Sequence, residues 1–140
     1  MGKLNFFMLV MTIGFVGGML SGCGSKVDYS DPRDVAEKAM EYYYAGDYES
    51  MKTLINPANE YRLKDMDRTA KIAAEQREKH PEKATPKKGE FSFKSATEEF
   101  TGKEITATSK GAVVSFHSET WPRQVVLEKA DGKWYFERFK

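Results

Sequence analysis

The chain has a single cysteine, Cys23, among its 140 residues, so an internal disulfide cannot support the fold. Histidine is almost as scarce, with only His80 and His117. Two imidazoles and one thiol so far apart give no metal-ligand spacing, and no Asp-x-Asp-x-Asp run marks a calcium loop. Also missing are a glycine-rich phosphate loop, a Gly-x-Ser-x-Gly elbow and a His-Glu-x-x-His helix. No metal or cofactor is therefore expected, and the reading leans away from an enzyme without deciding the question. An excess of one charge is lacking too: 22 Lys and Arg face 21 Asp and Glu. That balance withholds any hint of nucleic acid or an acidic surface as partner. Long apolar runs are absent, with one exception at the start.

That exception is residues 6 to 20, FFMLVMTIGFVGGML, fifteen residues preceded by the positive charge of Lys3. A bilayer-spanning helix needs about 20 apolar residues, and this run is shorter and carries Gly14, Gly17 and Gly18. A positive n-region, an apolar h-region and small residues at Ser21 and Gly22 are the parts of a secretory signal. Residues 1–22 are accordingly expected to be removed. Only Lys3 leaves with them, so 21 basic residues then face 21 acidic ones in a neutral, single-domain chain.

Leu20-Ser21-Gly22-Cys23 resembles the lipobox of bacterial lipoproteins, an aliphatic and two small residues before the modified cysteine. A thiolate is the nucleophile that takes up a diacylglyceryl group, and small residues leave the preceding peptide bond open to a peptidase. The resemblance implies that Cys23 becomes the acylated first residue, carrying chains such as palmitate. A buried free thiol and an exposed, unprocessed one are the plainer alternatives. Gly24 is not Asp, so by resemblance to known retention signals the address is the cell envelope, at the outer membrane if there are two.

Residues 23–30 read as a lipidated tether, small and polar. A single domain, 31–140, follows. Asp31 is suited to an N-cap and Pro32 to the first helical position. Val35, Ala36, Ala39, Met40, Tyr43 and Tyr44 then share one helical face, and Gly46 suits the C-terminal stop. Asp47 can cap a shorter helix with Tyr48, Met51, Leu54 and Ile55 inward, ended by Asn56-Pro57. A third helix is expected over 59–79, with a thin stripe of Leu63, Met66, Ala70 and Ala73 and with Ile72 beside it. Residues 80–90 hold two prolines and several lysines; they read either as a basic patch or as a solvated connector.

After Glu90 the apolar period changes from 3.6 to 2. Strands are expected near 91–99, 103–109, 112–120, 123–130 and 133–139, with turns at Ser109-Lys110-Gly111 and Asp131-Gly132. Phe91, Phe93 and Ser95 should share one face. Trp134 and Phe136 should face away from Tyr135 and Phe139. Helices first and a meander after them define an α+β fold: N-terminal helices on a curved antiparallel sheet of four to five strands.

The segments AEKAMEYYYAGDYESMKTLI and VVLEKADGKWYFERF resemble bacterial lipoproteins of the cystatin-like, nuclear-transport-factor-2-like group, nearest the family named domain of unknown function 4878. The likeness rests on Gly46-Asp47 between two helices and on Lys129, Asp131, Gly132 and Trp134 in the last hairpin. It implies a fold and brings no activity, because its motifs are structural.

In relatives of this fold the cone between sheet and helices is sometimes an active site. Tyr43, Tyr44, His117 and Trp134 are the candidate pocket or rim residues here. His117 follows Phe116 on a strand, so it faces away from the core if Phe116 faces into it. It is then a surface histidine; otherwise it is an acid-base candidate. Tyr43 and Tyr44 either line a ligand pocket or pack helix on sheet. Three functions stay open. They are a lipid-anchored domain binding a small ligand or an envelope protein, an enzyme using the cone, and a structural or assembly protein of the envelope. The membrane enters as a partner through Cys23, and nucleic acid is not expected.

Overall fold

The computed structural model describes residues 26–81 and 90–140. Cys23, the lipobox residues Leu20, Ser21 and Gly22, and most of the connector at 80–90 lie outside the described residues. No helix among the described residues is long and apolar enough to cross a membrane.

Three helices precede four strands: α1 (Pro32–Ala45), α2 (Tyr48–Lys52), α3 (Glu60–Lys79), β1 (Phe91–Glu98), β2 (Gly111–Ser118), β3 (Gln124–Ala130) and β4 (Lys133–Phe139). Each helix starts where a short polar side chain satisfies a free backbone N–H. Asp31 accepts from Arg33 N at 2.9 Å, Asp47 from Ser50 N at 3.1 Å, and Asn59 from Arg62 N at 3.1 Å. Gly46 ends α1 in the left-handed region at φ +68°, where glycine carries no Cβ penalty.

The strands form one antiparallel meander in the order β1-β2-β3-β4. One face holds Ala112, Val114, Phe116, Val125, Leu127, Trp134 and Phe136, all buried. Onto it α1 lays Val35, Ala36, Ala39 and Met40, joined by Met51, Leu54 and Ile55 from α2 and the turn after it. The start of α1 lies by Trp134, whose N–H donates to Tyr29 O at 2.7 Å. Its last turn lies by Ser118 and Phe139, at the other end of the sheet. The same contact to Tyr29, with Phe136 N donating to Leu54 O at 2.7 Å, covers the free edge of β4. The third helix has no fully buried residue; Leu63 and Met66 touch the core, and Ile72 is exposed.

The α+β architecture follows the sequence, with three differences. The expected strand at 103–109 does not form; residues 99–110 are an irregular connection from β1 to β2. Its hydroxyls draw the backbone out of extended pairing. Thr106 N donates to Ser109 Oγ at 2.9 Å, and the buried Ser109 donates to Glu98 at 2.6 Å. As a result Ser109-Lys110-Gly111 is not a hairpin turn. Asp131-Gly132 is one, with φ +52° and +75°, the left-handed pair a tight hairpin requires.

The other two differences are bulges. The register of β1 on β2 shifts between Phe93 and Ser95, so Phe93 and Ala96 both oppose core residues while Ser95 opposes Ser115. On β4 the register shifts at Glu137, so Phe136 pairs with Leu127 and Phe139 with Val125, both on the core face. One inserted residue reverses the face of everything beyond it. That is why Phe139 stands with Phe136 and not opposite it, their rings 4.7 Å apart.

Candidate functional site

At the end of the sheet where β1 begins and β2 ends, the last turn of α1 meets a group of aromatic rings. Tyr44 stacks on Phe91 at 5.8 Å and 18°, and Phe91 meets Phe116 edge-on at 5.4 Å. Tyr43 packs edge-on against Phe139 at 5.0 Å and Trp121 at 5.5 Å. Successive helix positions are 100° apart, which sends Tyr43 toward β4 and Tyr44 toward β1. Both are half-buried. Tyr44 Oη pairs with Ser118 Oγ at 2.9 Å and approaches Thr120 Oγ1 at 3.4 Å. Burial pushes the Tyr43 hydroxyl above its ordinary value.

Trp121 sits on the β2–β3 loop, before a cis peptide to the buried Pro122, with 57% of its surface exposed. Two open depressions adjoin at this end, and Trp121 lines the second of them. One, about 830 Å³, runs between the ends of β1 and β2 past Glu90, Ser92, Lys94, His117, Thr120 and Arg123. The other, about 580 Å³, shares Lys94, Phe116 and Arg123 and adds Trp121, Gln124 and Lys140. Lys94, Arg123 and Lys140 therefore share the lining with the rings of Phe91, Phe116 and Trp121 and with the carboxylates of Glu90 and Glu119. An open cleft of this kind can hold an extended chain that carries an apolar side chain and a carboxylate or phosphate.

Three of the four candidate residues meet at this end. Tyr43 and Tyr44 line neither depression but pack behind them, Tyr43 on Trp121 and Tyr44 on Phe91, and His117 lies on the opposite face of β2 from Phe116, exposed and opposite Ser92. Trp134 does not join them. It is 2% exposed in the core at the other end of the sheet, with Lys129 Nζ 5.4 Å from its ring centre. The residues that sequence reasoning passed over are Trp121, Arg123, Lys94 and Lys140. A tryptophan in the polar turn SETWPRQ was the available signal, because a loop aromatic has no strand face to fill.

A further depression, about 920 Å³, separates the α1–α2 junction from α3. Its walls are self-paired: Lys52 bridges Asp67 at 2.6 Å and Glu49 at 2.8 Å, and Arg77 donates to Gly46 O. Among the described residues no group of three or more His, Cys, Asp or Glu could hold a metal ion. Fold and site together define an α+β domain with an open aromatic and cationic cleft at one end of its sheet. Comparisons with models of protein families, with curated proteins and with solved structures found no match for the chain.

Proposed function

We propose that this is a lipid-anchored domain of the bacterial cell envelope, acylated on Cys23, that binds another envelope protein through the Trp121 cleft without doing chemistry. The finer fold proposed with it is the cystatin-like, nuclear-transport-factor-2-like one suggested by the Gly46-Asp47 break and the Asp131-Gly132 hairpin. The anchor rests on the order of Lys3, the apolar run and Leu20-Ser21-Gly22-Cys23.

The observation that carries the binding reading is Trp121, more than half exposed on the rim while held against Tyr43 and Phe139. Tryptophan, tyrosine and arginine are the residues on which interface energy concentrates, and here they are neighbours. The cleft is open along one side, which suits a peptide segment better than an enclosed small molecule. His117, the acid-base candidate, is exposed on the outer face of β2 and has no carboxylate hydrogen-bonded to it among the described residues, which favours binding over catalysis.

A photo-crosslinking amino acid at Ser92, on the cleft wall, tests this in intact cells. Recovery of one protein species, lost on Trp121→Ala, is the expected result. Labelling of small molecules only, or labelling indifferent to Trp121, would overturn it. Cys23→Ser tests the anchor separately: the protein should leave the membrane fraction and keep its first 22 residues.

A further inference from the structure

The opposite end of the sheet carries a residue that the free domain does nothing to accommodate. Phe100, in the connection after β1, is 96% exposed and has φ +72°. Left-handed backbone disfavours any side chain with a Cβ, and bulky rings most of all. Neighbouring Gly102, at φ +68°, fills the same kind of position with the residue suited to it. The turn is firmly built, with Glu98 N donating to Lys103 O at 2.8 Å and Gly102 N to Glu98 O at 3.1 Å. A fixed turn thus holds an aromatic ring out into solvent, at a cost in both backbone and hydration that no contact within the domain offsets.

The place where the chain enters the domain identifies what meets that ring. Tyr29 O accepts from Trp134 N, in the row of the sheet where Lys129 opposes Trp134 and Lys129 N donates to Lys110 O. The N-terminal segment and the Phe100 turn therefore leave the same end of the sheet. Four strands span about 15 Å from edge to edge. The six residues from Cys23 to Tyr29 reach at most about 22 Å even when fully extended. A lipid on Cys23 would hold this end within that distance of the bilayer.

We infer that this end of the sheet docks on the membrane, with Phe100 seated in the lipid interface and the Trp121 cleft turned away from it. The inference rests on the anchor reading for its geometry. An aromatic ring of this kind gains hydrophobic burial at the boundary between headgroups and acyl chains. The exposed charges around it suit the position. Lys103, Lys110 and Lys133 are exposed and can reach phosphates with their ammonium groups, beside the exposed carboxylates of Glu104 and Asp131.

The test is depth-dependent quenching in the purified, acylated full protein reconstituted into phosphatidylethanolamine–phosphatidylglycerol vesicles with brominated acyl chains. Phe100→Trp adds one fluorophore at an exposed position, and the signal of Trp121 and Trp134 is subtracted with the unsubstituted protein. The added emission should fall at least twofold relative to vesicles without bromine, while Trp121 emission is unchanged. Unquenched emission at position 100 from vesicle-bound protein would overturn the inference, and so would quenching of Trp121 in its place. Mass spectrometry of the same sample reports the acyl group separately. If the acyl group is absent, the anchor reading fails by itself. Quenching at position 100 with added vesicles then still upholds the contact, and its absence refutes it.

Discussion

Tyr44 Oη lies 2.9 Å from Ser118 Oγ, joining the last turn of α1 to the last residue of β2 across 74 positions of sequence. Ser118 also donates to Thr120 O at 2.9 Å, so removing the tyrosine hydroxyl leaves it a partner. Tyr44→Phe keeps the stack on Phe91 and loses one hydrogen bond. It should cost about 1 kcal/mol, read as a lower urea midpoint at unchanged slope. Ser118→Ala should cost a similar amount, and the double variant less than the sum of the two.

Gly46 couples two effects that can be measured apart. Its φ of +68° disfavours any Cβ, and a Cβ there would stand 2.6 Å from Arg77 Nη2. Gly46→Ala should therefore destabilise by about 1–2 kcal/mol from the backbone alone. In an Arg77→Ala background, which already lacks the bond to Gly46 O and the crowding, the same substitution should lower the thermal midpoint by less than it does in the parent protein.

Glu98 gives the β1–β2 connection a dependence on pH. Hydrogen bonds from Ser109 and Thr101 hold its carboxyl below the ordinary 4.5. A lowered folded-state pKa contributes stability above the unfolded value and loses it as pH falls through the folded one. Ser109→Ala should move the Glu98 titration upward in a carboxyl NMR titration. It should also speed amide exchange at Thr106, whose N–H loses its acceptor.

The third helix is tied to the sheet by an ion pair. Arg62 Nη2 meets Glu137 Oε1 at 3.0 Å, and Nη1 of the same guanidinium is buried without a hydrogen bond among the described residues. Glu137→Gln should cost about 2 kcal/mol, because it leaves a partly buried cation without its counter-charge. Hydrogen exchange should locate the loss, with α3 amides faster and β2 and β3 unchanged.

Trp121 should be dispensable for folding. More than half its surface is in water, so Trp121→Ala removes only its edge-on contacts to Tyr43 and Phe139, at about 1 kcal/mol. A cooperative melt close to that of the parent protein, together with loss of the cleft crosslink, is the expected pair of results.

Much of this fold was legible because its signals are local. Asp31 and Asp47 cap helices through bonds to residues two or three positions away, and Gly46 and Gly132 sit where φ must be positive. The 3.6-residue period of Val35, Ala36, Ala39 and Met40 picks out the buried face of α1 directly. Periodicity failed where one residue was inserted. The bulges at Lys94 and Glu137 reverse the alternation, and no local rule says which residue a strand will extrude. The strand expected around Ile105 failed for a related reason: two alternating apolar residues could not outweigh the hydroxyls of Thr106 and Ser109.

The candidate site divides the same way. Tyr43 and Tyr44 were visible as consecutive aromatics on a helix, and the outward face of His117 follows from alternation with Phe116. Trp121 showed only as a lone aromatic in a polar turn, Lys140 gave no pattern, and Trp134 proved to be core.

By itself the sequence determined the α+β class, the three helices with the caps of the first two, and the final hairpin, because each depends on neighbours a few residues apart. Only the tertiary structure decided which aromatics meet, since Tyr43, Trp121 and Phe139 are brought together by packing over long separations. It also decided that the chain enters at the Phe100 end while the cleft opens at the other. Strand register and helix direction set that polarity, and both are fixed by the burial of the shared core.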